Sequence, residues 1–290
     1  MDALKCEAFI AAAEQGSFTL AAETLGYTQS GITRMISALE EELGFSLFIR
    51  SKRGVSLSEN GMTMLPICRE LVRAHKQAEA IGADIRGSVR GTIVIGSYYS
   101  VSALLLPTIL KEFSNKYPGV QIKLQEGGNK EMSRWLNENS VDICYCAQPH
   151  DVNCDWLPIF SDELVAWLPK NHPYAGKESY PIEKLAEESF IHTQPGNDNE
   201  IDRLLEEYDI HPYAAYSTRD AFTTYNMVAK GIGISFNQKL ISTKWIKQIA
   251  EVPFDPPQYV SLGLAVPSLK EASPAAKRFI QIASLTNIRY

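Results

Sequence analysis

Residues 17–43 constrain this chain more tightly than any other stretch. Ala21, Ala22 and Leu25 mark the apolar side of one short helix, and Gly26 stops it. Thr28 then opens a second helix, with Ile32, Met35, Ile36, Leu39 and Leu43 at helical spacing. The break between them is centred on Gly26 and Tyr27. So tight a glycine-containing turn between two helices is the helix-turn-helix pattern. An earlier helix carries Leu4, Ala8 and Ala11, widened by Phe9, Ala12 and Ala13, and ends at Gly16. Ser17 is placed to cap the next helix, or Thr19 if that helix starts later. Beyond Gly44 the period changes to two. Phe45, Leu47 and Ile49 alternate, a basic turn follows, and Val55 and Leu57 alternate back. Residues 1–60 are therefore expected to form a winged helix-turn-helix.

A long helix is expected from about Ser58 to Arg86. Met64, Ile67, Leu71, Ala74, Ala78, Ile81 and Ile85 step by three and four, which is a heptad seam. So regular a seam between two domains predicts pairing with a second copy rather than packing on its own domain. Pro66 deletes one helical hydrogen bond and predicts a kink in the first turns. Residues 61–90 are the expected linker helix and hinge.

The pattern then alternates between strand and helix: TIVIG, SALLLPTILKEFSNKY, VQIKLQEG, EMSRWLNEN and VDICYC. Such a series implies a mostly parallel sheet with helices on its faces. After Asp162 a similar series begins, with strands at LVAWLP, SFIHT, AAYST and GIGISF. Its helices are expected near Ile182–Ala186, Asp198–Tyr208 and Ala221–Lys230. A strand at Val260–Val266 and a helix at Ala275–Thr286 close the chain. The expected fold class is α/β. Residues 91–290 form a two-lobed domain, lobe one about 91–161 plus 267–290 and lobe two about 162–266, with a cleft between them.

A formal net charge of −6 argues at first sight against a nucleic-acid partner. Residues 1–90 hold ten Lys/Arg and eleven Asp/Glu, so splitting the chain changes little. The case for DNA rests on where groups sit. On the second helix of the motif, Gln29, Ser30, Thr33, Arg34 and Ser37 lie opposite the apolar face, with Thr28 at its start. Gln pairs with adenine, Arg with guanine or phosphate, and hydroxyls with either. Ser17 and Thr19 sit where a helix N-terminus favours phosphate. Arg50, Lys52 and Arg53 concentrate positive charge on the hairpin tip, where a minor-groove or phosphate contact is expected.

In the larger domain, the loop Ser97-Tyr98-Tyr99-Ser100-Val101-Ser102 leads into a helix N-terminus, where it is either a ligand-binding loop or one whose Ser100 or Ser102 serves only as a helix cap. Tyr98, Tyr99 and Phe222 suit an aromatic-accepting pocket or an ordinary core. The five cysteines are odd in number and irregular in spacing, which fits neither a disulfide framework nor a zinc site. Cys144 and Cys146 are read as buried small hydrophobes rather than redox sensors. No metal, cofactor, signal peptide or membrane-spanning segment is expected, and the chain is placed in the cytoplasm.

Residues 1–61 resemble the LysR-type transcriptional regulators. The resemblance runs through Phe9, Gly16, Ser17, Phe18, Ala21, Ala22, Leu25, Gln29, Ser30, Ile32, Arg34 and Ile36. It continues at Leu39, Glu40, Gly44, Leu47, Phe48, Arg50, Leu57 and Gly61. Beyond residue 90 it is looser: LLPTILKEFSNKYPGVQIKLQEG and LVAWLPKNHPYAG are similar to the family's sensor segments, and VAKGIGISF to its glycine turn. The family implies a homodimer or homotetramer on double-stranded DNA. It also implies a two-lobed, periplasmic-binding-protein-like domain whose small-molecule effector alters DNA bending and transcription, with RNA polymerase as a further candidate partner. By position in the family pattern, Gly128, Asn129, Gln148, His192, Thr193, Phe222, Phe236 and Asn237 fall at the cleft edges. Phe236-Asn237 departs from that pattern, which more often has a small apolar residue and proline there.

Two other readings are weighed. An enzyme is disfavoured: the chain has no Gly-x-Ser-x-Gly elbow or P-loop, and Gly231-Ile232-Gly233 lacks the third glycine of a dinucleotide fingerprint. A transporter's solute-binding protein fits the two lobes, but the helix-turn-helix and the lack of a signal peptide argue against it.

Overall fold

Asp2 opens the first helix, α1 (Ala3–Gln15), by accepting the Lys5 N–H at 2.9 Å, and Gly16 closes it in the left-handed region. The computed structural model describes residues 1–51, 54–196 and 199–286. α2 (Phe18–Leu25) and α3 (Gln29–Leu43) follow, joined through Gly26 at φ +72°, a conformation that favours glycine. β1 (Phe48–Ser51) and β2 (Gly54–Leu57) pair antiparallel as the hairpin. Phe9, Ile32, Ile36, Leu39 and Leu47 are fully buried between these elements. Phe9 and Phe18 both meet the Phe48 ring edge-on, at 5.4 and 5.3 Å.

α4 (Glu59–Ile85) is one helix with Pro66 inside it. Gly61 is required at its start, because a Cβ there would stand 2.1 Å from the Leu47 carbonyl oxygen. Cys68 and Val72 bury against the first domain, with Met64 and Leu71 packed beside them. Ile67, Ala74, Ala78, Ile81 and Ile85 of the seam remain exposed.

β3 (Gly91–Ser97), α5 (Tyr99–Leu104), α6 (Leu106–Lys116), β4 (Val120–Glu126), α7 (Asn129–Asn137) and β5 (Ile143–Ala147) make the first lobe. β6 (Asp155–Pro169) then crosses to the second, which holds β7 (Tyr180–Pro181), a 3-10 turn at Ile182–Glu187 and β8 (Ser189–Thr193). α8 (Glu200–Glu207), β9 (Tyr213–Thr218), α9 (Ala221–Ala229), β10 (Ser235–Gln238) and α10 (Lys239–Ser242) complete it. β11 (Ile249–Val266) crosses back, and α11 (Pro274–Leu285) packs its Phe279 on Phe113 of α6 at 5.5 Å.

The strand order β10-β6-β11-β5-β3-β4 differs from the expected mostly parallel sheet. β3 runs parallel to β4 and β5, but β6 and β11 pair antiparallel from Pro169↔Ile249 to Asp155↔Val266. The strands expected at LVAWLP and Val260–Val266 are thus parts of 15- and 18-residue strands. That pairing is interrupted at two places, between Pro253 and Gln258, where Phe254 and Asp255 pair with β7 instead, and between Leu262 and Gly263. Pro253, Pro256 and Pro257 and the change of covered face between lobes break the local strand pattern, so the length of the pair is not visible in the sequence. β8 and β9 form a separate parallel pair, joined to the turn before β10 by a Phe190↔Ile234 bridge.

Candidate functional site

Thr28 caps α3 by accepting the Gly31 N–H at 3.1 Å, and its hydroxyl lies 3.1 Å from Ser30 Oγ. Gln29, Ser30, Arg34 and Ser37 are exposed, and Thr33 is half-buried, donating to the Gln29 carbonyl at 2.9 Å. The expected polar face is therefore a free surface. Ser17 caps α2 through the Leu20 N–H, and Thr19 beside it is exposed.

Arg50 leaves β1 on the same side. Its Nη2 lies 3.5 Å from both Ser37 Oγ and Glu40 Oε2. Glu40 in turn accepts the Leu47 and Phe48 N–H groups, at 2.7 and 3.2 Å, so one carboxylate fixes where the hairpin leaves α3. Lys52 and Arg53 lie outside the described residues.

Between the lobes is a cavity of about 500 Å³. The first lobe lines it with Tyr98, Tyr99, Ser100, Gly128 and Asn129, and the second with Thr193, Phe222 and Asn237. Four other residues expected at the cleft lie elsewhere. Val101 is fully buried in the first lobe's core, and Gln148 is exposed just beyond β5. His192 and Phe236 precede Thr193 and Asn237 on strands. Successive strand side chains point to opposite faces, so only the second of each pair reaches the cavity. His192 instead meets Asp202 at 2.8 Å in a smaller groove, and Phe236 packs on Phe254.

Sequence reasoning missed Gln194, Glu200, Arg219, Asp220, Gln238 and Trp245, which also line the wall. Gln194, Arg219 and Gln238 follow or precede strand ends already singled out, so neighbourhood was a usable signal. Trp245 carries no such signal; its ring meets Phe222 edge-on at 5.1 Å only through tertiary packing.

The polar groups are held by one another. The Tyr98 hydroxyl donates to Asn129 Oδ1, lies 3.3 Å from Glu200 Oε1 and accepts the Ala147 N–H at 3.1 Å. Burial first, and then the Glu200 carboxylate, push its phenol well above the ordinary tyrosine range. Thr224 bridges Thr193 and Thr218 through hydroxyl contacts of 2.8 and 2.7 Å. Asn199 caps α8 and donates to the carbonyls of Thr193 and Gln194, each at 2.9 Å. Asn237 is 8% exposed, and its Nδ2 has no hydrogen-bond partner among the described residues. The wall thus combines aromatic rings with a few fixed donors and acceptors, the arrangement that holds a small organic molecule. Among the described residues, no three His, Cys, Asp or Glu side chains are placed to hold a metal ion. No helix in them is long and apolar enough to cross a membrane.

Comparison with known proteins places both halves. The family model described as bacterial regulatory helix-turn-helix protein, lysR family, matches residues 5–62, and the LysR substrate binding domain model matches residues 86–284. The chain is 30% identical over 286 residues to the HTH-type transcriptional regulator YvbU of Bacillus subtilis (strain 168), covering 98% of each chain. It is 31% identical over 234 residues to AlsR of the same organism, covering 79% of this chain and 77% of AlsR. Among solved structures, a variant of full-length OxyR from Pseudomonas aeruginosa superposes with a TM-score of 0.77 at 22% identity, over 98% of this chain and 93% of that one. Full-length CbnR, complexed with its target DNA, gives 0.66 at 20% identity over 98% and 99%. These two likenesses are of fold.

Proposed function

The chain belongs to the LysR family of bacterial helix-turn-helix transcriptional regulators, and from that premise we propose that a small molecule held between its lobes changes how α3 and the hairpin engage DNA. The observation that carries this reading is the 500 Å³ cavity, which draws polar and aromatic side chains from both lobes. A ligand touching both lobes has different affinity for their open and closed arrangements, which is the requirement for shifting a conformational equilibrium. Tyr98, Tyr99, Ser100, Gly128, Asn129, Thr193, Phe222 and Asn237 are its proposed contacts.

On the DNA side, Gln29, Ser30, Thr33, Arg34 and Ser37 read base edges. Ser17, Thr19, Thr28 and Arg50 hold phosphate, with Lys52 and Arg53 extending the charge. The exposed stripe Ile67, Ala74, Ala78, Ile81 and Ile85 pairs two copies, so that two α3 helices meet two half-sites. The divisions at residues 60 and 90 separate reader, linker and sensor. Such a protein works in the cytoplasm, with RNA polymerase as the downstream partner. CbnR, solved on its target DNA, supports the DNA-bound part of the reading.

The test is recovery of genomic fragments on the full-length protein at moderate salt, with and without metabolites made by neighbouring genes' products. Enrichment of short, partly palindromic sites, altered by one metabolite, is expected. Recovery of no specific sites in either state overturns the reading.

A further inference from the structure

We infer that α7 is a strut that carries the state of the cavity to the DNA-reading domain, an inference that rests on the cavity being the effector site. Its first residue, Asn129, is in the cavity wall, and the residues that follow its last turn, Glu138 and Asn139, lie against the linker helix α4. Nine helical residues span roughly 13 Å.

At the cavity end, Tyr98 supplies the trigger. Its single phenolic proton faces two acceptors, Asn129 Oδ1 on α7 and Glu200 Oε1 on α8 of the other lobe. It serves one of them well at a time. A ligand that engages either Tyr98 or Glu200 therefore changes how firmly Asn129 is held.

The body of the strut does not absorb displacement. Met132 and Leu136 are buried against Val141, Cys144 and Cys146. At its entry, a Cβ on Gly127 would stand 2.7 Å from Glu131 Cβ and 3.0 Å from the Trp135 ring. Close packing of this kind moves as a unit.

At the far end stands a latch. Arg69 of α4, 13% exposed, reaches Glu138 of the sensor at 3.2 Å and Glu14 of α1 at 3.1 Å. One guanidinium thus joins the strut to the first helix of the DNA-reading domain. Arg73, one turn on, donates to Asn139 Oδ1. Asn139 itself adopts φ +51°, so its amide is presented from a left-handed turn. At a helical 100° per residue, Arg69 and Arg73 face roughly away from the Ile67–Ala78–Ile85 stripe. The latch and the dimer seam therefore do not compete for the same side of α4.

Hydrogen exchange followed by mass spectrometry on the full-length protein tests this without the ligand. Three proteins are compared with wild type: Tyr98→Phe, the latch variant Glu138→Gln/Asn139→Ala, and their combination. The strut requires Tyr98→Phe to speed exchange at least threefold in peptides covering residues 69–77 as well as around the cavity. The latch variant should do the same at 69–77, and the combination should add nothing further there. A Tyr98→Phe effect confined to residues 98–102 and 127–133, an even rise over the whole chain, or effects that multiply would each overturn it. Failure of the regulator reading is separately visible: a chain that selects no DNA yet shows coupled exchange loses that reading and keeps the strut.

Discussion

The Arg50 guanidinium lies 5.3 Å from the centroid of the Phe18 ring. A residue of α2 thus aims a basic side chain of the hairpin, while Glu40 and Ser37 of α3 hold its edge. Arg50 is oriented by the same two helices that form the motif.

Replacing Arg50 by alanine is expected to weaken binding to all sequences alike and to lower the slope of log affinity against log salt by about 1. Lys52→Ala/Arg53→Ala should lower it further. Anisotropy titrations at several salt concentrations measure both. An unchanged slope in either variant would remove the wing from the phosphate contacts.

On α3, Gln29→Ala is expected to cost about 1–3 kcal/mol at the selected site and to relax preference at one base position. Arg34→Ala separates two roles for that residue. A loss confined to one base pair assigns it to guanine, and an equal loss on every sequence assigns it to backbone phosphate. Competition binding against single-base variants of the site makes the distinction.

Ile81→Glu places a charge in the exposed stripe of α4, well beyond the buried Cys68 and Val72 of one copy and beside the partner's stripe in a pair. The expected result is a monomer by light scattering with unchanged helix content. DNA affinity should fall as the two half-sites come to be bound independently. A full-sized oligomer would show that the sensor lobes suffice for association.

Stability should decline as pH rises above about 9. Burial pushes the Cys68 thiol up to about 12, and raises Cys144 and Cys146 as well, burial being the first cause in each case. The unfolded chain loses these protons near the ordinary thiol value while the folded chain keeps them. Above that value the folded state binds more protons, and unfolding becomes easier with each added pH increment. Urea melts at pH 7 and 10 on wild type and Cys68→Ala read this out. The variant should be less stable at pH 7 through lost packing, but should lose less between the two pH values.

Much of the first domain is legible from local pattern. Gly26, the caps at Ser17 and Thr28, and the stripe from Ile32 to Leu39 act within a few residues of one another, so spacing alone carries them. The same holds for the exposed face at Gln29, Ser30, Arg34 and Ser37, because a helix with one side buried leaves the other free. The heptad stripe of α4 is equally visible, though its first turns proved to serve the domain's own core through Met64 and Leu71.

The sensor behaves differently. Its alternating elements are readable, and the family resemblance brings attention to the right loops. Position in a pattern cannot choose between His192 and Thr193, or between Phe236 and Asn237, because that choice depends on which face of the strand meets the other lobe. The long antiparallel pair β6 and β11 was hidden for the same reason: strand direction and continuity are properties of hydrogen-bond partners far apart in the chain. The sequence by itself determined the helix-turn-helix, the wing, the linker stripe and the two-lobed plan, all of which follow from short-range periodicity. Only the tertiary structure decided the cavity wall, with Trp245, Glu200 and Arg219 in it, and the Glu14–Arg69–Glu138 bridge. Those contacts join residues whose separation in the chain bears no relation to their distance in the fold.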